Sequence, residues 1–306
     1  MEENRILRLM DMTAAGSAQA AGEIKTEVKR KAKARTRSLS NLLMGIALAV
    51  GTFLLVYPKA SEYWNSFTQS RSIMGYAEQV AQMSTAEYAK FITDAEEYNA
   101  KLAENGNEWH MTQGQKKVYE SRLTFDSTGV MGYIDIPKIG AKLPIYHGTS
   151  DAVLQTSIGH LAETSLPVGG KGSHCVLSGH RGLPSAKLFS DLDKMSQGDT
   201  FTLSVMNETY TYQVDQIRVV EPTDLRELTI RPDMDLCTLV TCTPYGVNSH
   251  RLLVRGHRVK NVNGDAKVVA DALQIQPVHV APFIMMFILA GLLVKFAVIP
   301  GKRSFI

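Results

Sequence analysis

The sequence predicts a mainly β domain, a barrel or sandwich, held between two apolar runs of membrane length. Three observations lead there. From Val130 onward, short strand-like runs alternate with turn residues: MGYIDIP, LPIYHG, HCVLSGH, DTFTLSV, TYTYQVDQIRVVEP, LCTLVTC and RLLVRGHRV. Few helical patterns interrupt them, and strands at this spacing suggest an antiparallel barrel or sandwich. The third observation is the pair of runs that bracket this region, Leu39–Tyr57 without a charge and Val280–Ile299 with only Lys295. Each is close to the ~20 residues that cross a ~30 Å hydrocarbon core.

The flanks of those runs orient them. KTEVKRKAKARTR precedes the first and GKRSFI ends the chain. Basic flanks stay in the cytoplasm, so two spans with basic outer ends place the middle of the chain outside the cell. Residues 1–37 carry nine Lys or Arg against five Asp or Glu, and residues 295–306 add three cations. With +3 for the whole chain, the stretch between is net acidic, about −4. The sequence pI near 8.6 therefore reports membrane flanks and argues against nucleic acid as a partner. A cleaved signal peptide is the alternative for residues 39–57, but both the leader and the apolar run are long for one.

In order along the chain, residues 1–38 read as a basic cytoplasmic leader with little fixed structure, and 39–57 as a transmembrane helix. Residues 58–124 read as a helical segment followed by a polar stretch. Within it, Ser84 and Glu87 have capping-box spacing. Tyr88, Phe91, Ile92, Ala95, Tyr98 and Leu102 then follow the helical period, and Asn105-Gly106 is a stop signal. Residues 125–262 form the β domain, 263–279 a linker, 280–299 a second transmembrane helix and 300–306 a cytoplasmic tail.

The chemistry concentrates in TLVTCTPYGVNSHRLLVRGHR, 238–258. Cys242 ends one apolar run and Arg251 opens the next, with turn residues between. Across a hairpin their side chains approach, which sets a guanidinium beside a thiol. A thiol becomes a nucleophile when its neighbours favour the thiolate, and histidine is the usual partner. His180, flanked by Gly179 and Gly182 at the end of a strand-like run, is the leading candidate; His250 and His147 are alternatives. The chain has three cysteines, Cys175, Cys237 and Cys242. Cys237 and Cys242 are an odd number of residues apart, so a straight strand points them to opposite faces, which disfavours a bridge between them. Cys175 and Cys237 read as buried packing. His174, Cys175 and His180 could be taken for a metal cluster, but an extended strand does not aim them at one point.

These motifs resemble the sortases, membrane-tethered transpeptidases of Gram-positive surfaces. The resemblance covers about 125–260 and rests on TLVTC with an arginine nine residues later, on HCVLSGHRG, and on IDIPKIGAKLPIYHGTS. CTPYGVNSHR, the helical segment before the barrel and the C-terminal span are similar to class C, the pilin-polymerising sortases. The resemblance implies a closed β-barrel of about eight strands with N-terminal helices and a lid. It implies His180, Cys242 as nucleophile and Arg251 as oxyanion or substrate-positioning residue. It also implies cleavage of the Thr–Gly bond of an LPXTG-like sorting signal, with a thioacyl enzyme resolved by a lysine amine of the next pilin subunit. No metal or cofactor enters that chemistry. The expected partners are pilins or other surface proteins bearing such a signal, and the lipid bilayer.

Class C lids usually carry an Asp-Pro-aromatic motif, which this chain lacks. Asn107-Glu108-Trp109 stands nearest, with Trp109 as the aromatic plug and Glu108 or Asn107 in the acid position. The stretch VVEPTDLRELTIRPDMD, 219–235, is longer than a hairpin turn, and its match in the family shapes the sorting-signal groove. Anchoring of proteins to peptidoglycan is the alternative activity. A papain-like hydrolase is disfavoured because His180 precedes Cys242. A non-catalytic assembly factor would tolerate loss of the Cys242 thiol.

Overall fold

The structure is a computed structural model that describes residues 3–107, 109–125, 128–261 and 291. All of the second apolar run except Gly291, the linker before it and the tail after it, together with Glu108, lie outside these. Two units can be separated, one formed by 1–57 with 277–306 and the other by Pro58–Gln276.

Helix α1 runs over Glu3–Gln82. The leader expected to have little fixed structure is therefore helical. Its composition explains this: 3–38 is rich in Ala, Lys, Arg, Glu and Met and has no proline, and such residues lose little on entering a helix. Lys31 lies 3.0 Å from Glu27, one turn earlier. One stretch, beginning at Leu43, is long and apolar enough to cross a membrane by length and composition, and 11% of its apolar window is buried. Helix α2, Thr85–Asn105, starts at the expected capping box. Ser84 Oγ accepts from Glu87 N, and the Glu87 carboxylate accepts from Ser84 N at 3.0 Å. Gly106 follows with φ +78°, a conformation that ends the helix at low steric cost. A second capping box, Thr112 with Gln115, opens the short helix α3, Gln113–Glu120.

Eight strands close into a barrel among the described residues. They are β1 Val130–Ile136, β2 Ala141–His147, β3 Ile158–His160, β4 Ser173–Ser178, β5 Thr200–Val205, β6 Glu208–Val220, β7 Asp235–Thr243 and β8 His250–Val259. Their order around the barrel is β1-β2-β3-β4-β7-β8-β6-β5, with β5 returning to β1. A one-turn helix, α4 (Asp151–Leu154), precedes β3. Closure leaves no free sheet edge. The interior holds Ile134, Ile136, Ile145, Phe201, Leu203, Tyr212, Leu239 and Val254.

The expectation of an antiparallel sheet is corrected at two places. β2 pairs with β3, and β4 with β7, in parallel. Parallel neighbours need a crossover rather than a hairpin, and the chain supplies one through 148–157 and one through 179–234. β3 was not among the runs expected to be strands. Its three residues are too few to display a period.

Polar side chains fasten the helices to the barrel. Tyr76 of α1 donates to Met131 O at 3.1 Å. Asn99 of α2 takes both bonds of one peptide position, donating to Leu166 O at 3.0 Å and accepting from Leu166 N at 2.7 Å. Tyr119 of α3 is buried against His160, with its hydroxyl 3.0 Å from His160 Nδ1, and accepts from Gly148 N at 3.0 Å. On the outer face of β4, His174 Nε2 lies 2.7 Å from Thr238 Oγ1 of β7, and Nδ1 lies 2.9 Å from Thr229 O.

Two outcomes follow from these anchors. Asn99→Ala leaves Leu166 N and O buried without partners and is expected to lower stability by about 2–3 kcal/mol, read from urea denaturation against wild type. Burial pushes the His174 pKa down from its ordinary value to about 4, and burial lowers His147 as well. In the unfolded chain these imidazoles take a proton near pH 6.5; in the fold they do so only at lower pH. Stability contributed by keeping His174 neutral is thus fully present above about pH 6.5 and is lost as pH falls from there toward 4, by up to about 3 kcal/mol. Denaturation curves at a series of pH values from 7 to 4.5 should show this slope. His174→Gln should flatten it, and an unchanged slope would assign the loss to other groups.

Candidate active site

β7 is the central strand of the site, with β4 parallel on one side and β8 antiparallel on the other. Ser173 faces Asp235 and Ser178 faces Val240. The chain of β4 keeps this register beyond its last paired residue. Gly179 N donates to Val240 O at 3.1 Å, Thr241 Oγ1 donates to Gly179 O at 2.8 Å, and Arg181 Nη1 donates to Thr243 Oγ1 at 3.2 Å. At the same offset, His180 comes opposite Cys242. On the other side Cys242 pairs directly with Arg251. His180, Cys242 and Arg251 therefore form one row across three neighbouring strands, all on one face of the sheet, and all three are half-buried.

That face is the outside of the barrel. Along β7, Cys237 and Leu239 are buried in the main core, so Thr238, Val240 and Cys242 point the other way. One pleat from the row lies a second apolar cluster, in which Val176, Leu228 and Leu253 are buried, with Val240, Val220, Leu225, Leu161 and Trp109 packed against them. The row thus opens onto an apolar floor. Leu225 and Leu228 come from 221–234, the connection between β6 and β7, and supply one wall.

The loop after β4 is shaped by its glycines. A Cβ on Gly179 would come within 2.8 Å of the Phe189 ring and 2.9 Å of Ile158 Cγ2. Gly182 has φ +77°, and a Cβ there would strike the Tyr245 ring at 2.8 Å. Phe189 N donates to His180 O at 3.2 Å. Arg181 lies over the Tyr245 ring, with its guanidinium carbon 6.0 Å from the centroid, so the histidine loop and the loop after Cys242 are clasped together. Arg251 Nη1 donates to His250 O at 3.1 Å and to Asn248 O at 3.3 Å.

The alternative histidines stand elsewhere. His250 pairs with Thr243, one position from the row and so on the opposite face; its Nε2 lies 3.2 Å from Glu221 Oε1. His147 is held by Arg122 O at 2.7 Å and Gly129 O at 3.2 Å, beside Tyr119. Among the described residues no group of three or more His, Cys, Asp or Glu is disposed to hold a metal ion.

Trp109 packs over the apolar floor. Beside it, Asn107 bridges two loops. Its Nδ2 donates to Glu163 O at 3.1 Å, and its Oδ1 accepts from Ile230 N at 3.0 Å. Asn107 is thus tied to the β3–β4 and β6–β7 connections. The bridging by Asn107 and the second cluster were not legible in the sequence, because their members come from six separate stretches of chain.

A family model for the sortase domain matches residues 134–259. Among solved structures, sortase C1 from Streptococcus agalactiae is 61% identical, with a TM-score of 0.62; the match covers 62% of this chain and 99% of that one. Sortase C from Streptococcus pneumoniae, a structure described as bearing on catalysis and pilin substrate specificity, is 42% identical with a TM-score of 0.57, over 62% and 97% of the two chains. Sortase D from Bacillus subtilis is 30% identical over 131 residues, 42% of this chain and 63% of that one, so the chain spans under two thirds of the length of that curated relative. Sequence, barrel and helices agree on one conclusion: the chain belongs to the sortase family and is most like its class C members.

Proposed function

We propose that this protein is a membrane-tethered cysteine transpeptidase that joins pilin subunits outside the cell. The row His180–Cys242–Arg251 carries the reading, since it offers a nucleophile, a proton carrier and an oxyanion donor on one face. The Cys242 sulfur attacks the threonine carbonyl carbon of an LPXTG-like signal. Arg251 donates to the oxygen as it becomes an oxyanion, in the way that a preorganised donor lowers such barriers. His180 passes a proton to the leaving glycine amine, which departs and leaves a thioester on Cys242. A lysine amine of the next subunit then attacks the thioester, forms the isopeptide bond and restores the thiol. The apolar floor of Val176, Val240 and Leu253 receives the nonpolar part of the signal, and the 221–234 connection forms the wall that reads it. No cofactor takes part.

Two features support the placement. Leu43, Met44, Ile46, Leu48, Val50, Phe53, Leu54 and Leu55 are exposed on α1, and a continuous apolar surface of this kind requires a nonpolar partner such as lipid. The basic flanks favour cytoplasmic termini with the barrel outside, and a second span over 280–299. Asn107, Glu108 and Trp109 act as a lid that limits hydrolysis of the thioester by shading the groove.

Surface pilus ladders provide the direct test. A strain lacking the protein should regain high-molecular-mass pilin polymers with the wild-type chain and none with Cys242→Ala. Wall-linked monomers in place of ladders would overturn pilin joining in favour of peptidoglycan anchoring, and full rescue by Cys242→Ala would overturn catalysis. In detergent, Arg251→Lys should cleave a sorting peptide roughly 10²–10³ more slowly, because an ammonium lacks the planar fork of donors; a rate close to wild type would make Arg251 structural. Trp109→Ala should speed alkylation of Cys242 and peptide hydrolysis together. Equal alkylation rates in the two chains would remove the segment from the role of cover.

A further inference from the structure

The register that brings His180 beside Cys242 also pairs two other residues of β4 and β7. Cys175 lies opposite Cys237. They stand five residues before His180 and Cys242, an odd step, so they occupy the opposite face, inside the barrel. Both are buried, 2% and 0% exposed. The pairing sets the two side chains side by side on the inner face, with His160 of β3 as a further neighbour of Cys175. Burial opposes ionisation of both; on Cys175 the neighbouring Cys237 and His160 outweigh it and bring the pKa down, whereas burial and the Cys175 neighbour push Cys237 well up. Neighbouring strands run about 4.8 Å apart, within the roughly 4.4–6.8 Å Cα separation that a disulfide spans.

We propose that Cys175 and Cys237 are a dithiol–disulfide couple, a modification site in which a peroxide bridges β4 to β7 inside the barrel. Nothing in the transpeptidase chemistry uses these thiols, and Cys242 cannot join them, since it points outward and faces His180. The exterior placement proposed above supplies the setting, away from the reducing systems of the cytoplasm. In the first step the Cys175 sulfur attacks one peroxide oxygen. The O–O bond breaks, and the departing hydroxide takes the Cys175 proton and leaves as water. Cys175 is then a sulfenic acid. The Cys237 sulfur attacks the Cys175 sulfur, the S–O bond breaks, and the hydroxyl leaves as water with the Cys237 proton. Two thiols have given two electrons, and one peroxide has become two waters. The bridge closes the long loop between the two strands, which restricts the unfolded chain. It thereby reinforces the two strands that present His180 and Cys242.

The test uses the full chain in detergent, as wild type and as Cys242→Ala, treated with hydrogen peroxide and then denatured and alkylated. Before treatment all cysteines should be alkylated. Afterwards those at 175 and 237 should be lost together, the intact mass of Cys242→Ala should fall by two hydrogens, and a linked peptide pair should appear. The melting temperature should rise by several degrees, and a dithiol reductant should reverse every change. Cys237→Val should show neither the mass loss nor the shift. If that variant fails to fold, the peptide map of Cys242→Ala decides alone. Thiols at 175 and 237 that stay alkylatable at a peroxide dose that has consumed Cys242 in wild type would overturn the proposal. So would oxygen added to Cys175 without a bridge. Because Cys242→Ala should bridge as wild type does, this outcome is independent of whether the chain joins pilins.

Discussion

One strand register carries the site. β4 lies parallel to β7 with Ser173 opposite Asp235, and everything that brings His180 to Cys242 is an extension of that alignment past the end of β4. A slip of one residue would turn Cys242 inward and Cys237 outward, because side chains alternate along a strand. The alignment is secured from several directions. Inside the barrel Cys175 meets Cys237; on the outer face His174 meets Thr238. Beyond the paired stretch, Thr241 and Thr243 hold Gly179 and Arg181. A hairpin alone could place Arg251 by Cys242, since its ends are close in sequence. The histidine is sixty-two residues away from the cysteine, so it takes a pairing between distant strands, here the parallel β4–β7 pair, to deliver it.

Long-range pairing of this kind is entropically expensive to assemble, and the rest of the fold offsets that cost. The closed barrel buries a continuous apolar interior, and the helices before it cover its flank. Each helix contributes a polar contact that is also a position marker: Tyr76 at Met131, Asn99 at Leu166, Tyr119 at His160. A buried polar group has few places where its bonds are met. These contacts therefore fix where each helix sits more sharply than apolar packing would.

The hairpin, its cysteine and its arginine were legible in the sequence because a short loop keeps them near each other in the chain. So was the capping box at Ser84, which is a local pattern. Residue types left three histidines open, and the family resemblance implied His180; the register sets His180 level with Cys242, whereas His250 falls on the opposite face and His147 is bonded to Arg122 O and Gly129 O. Parallel pairing was not legible, because alternation along a strand is the same in either sense. The three-residue strand β3 was too short to show a period. The helicity of the leader lies in its composition, rich in Ala, Lys, Arg and Glu, and not in an apolar period that would mark a helix. Cys175 and Cys237 each read as an isolated buried thiol until the strands placed one opposite the other.

Two kinds of contact hold the segment over the apolar floor. Asn107 has directional bonds to Glu163 O and Ile230 N, in two different loops. Lifting it would leave a carbonyl and an amide without those partners and would loosen the loop that forms the groove wall. Trp109 has packing against Val176, Leu228 and Leu253, an interaction with no required direction. Removing its half-buried indole from the floor costs on the order of 1–3 kcal/mol of apolar burial, and a nonpolar peptide seated on the floor would replace that burial. The lower-cost motion is therefore a swing of the indole about a base that stays fixed at Asn107. Without a proline the backbone of this segment has no built-in stiffness, and the restraint that a proline would give is supplied by the two hydrogen bonds of one asparagine side chain.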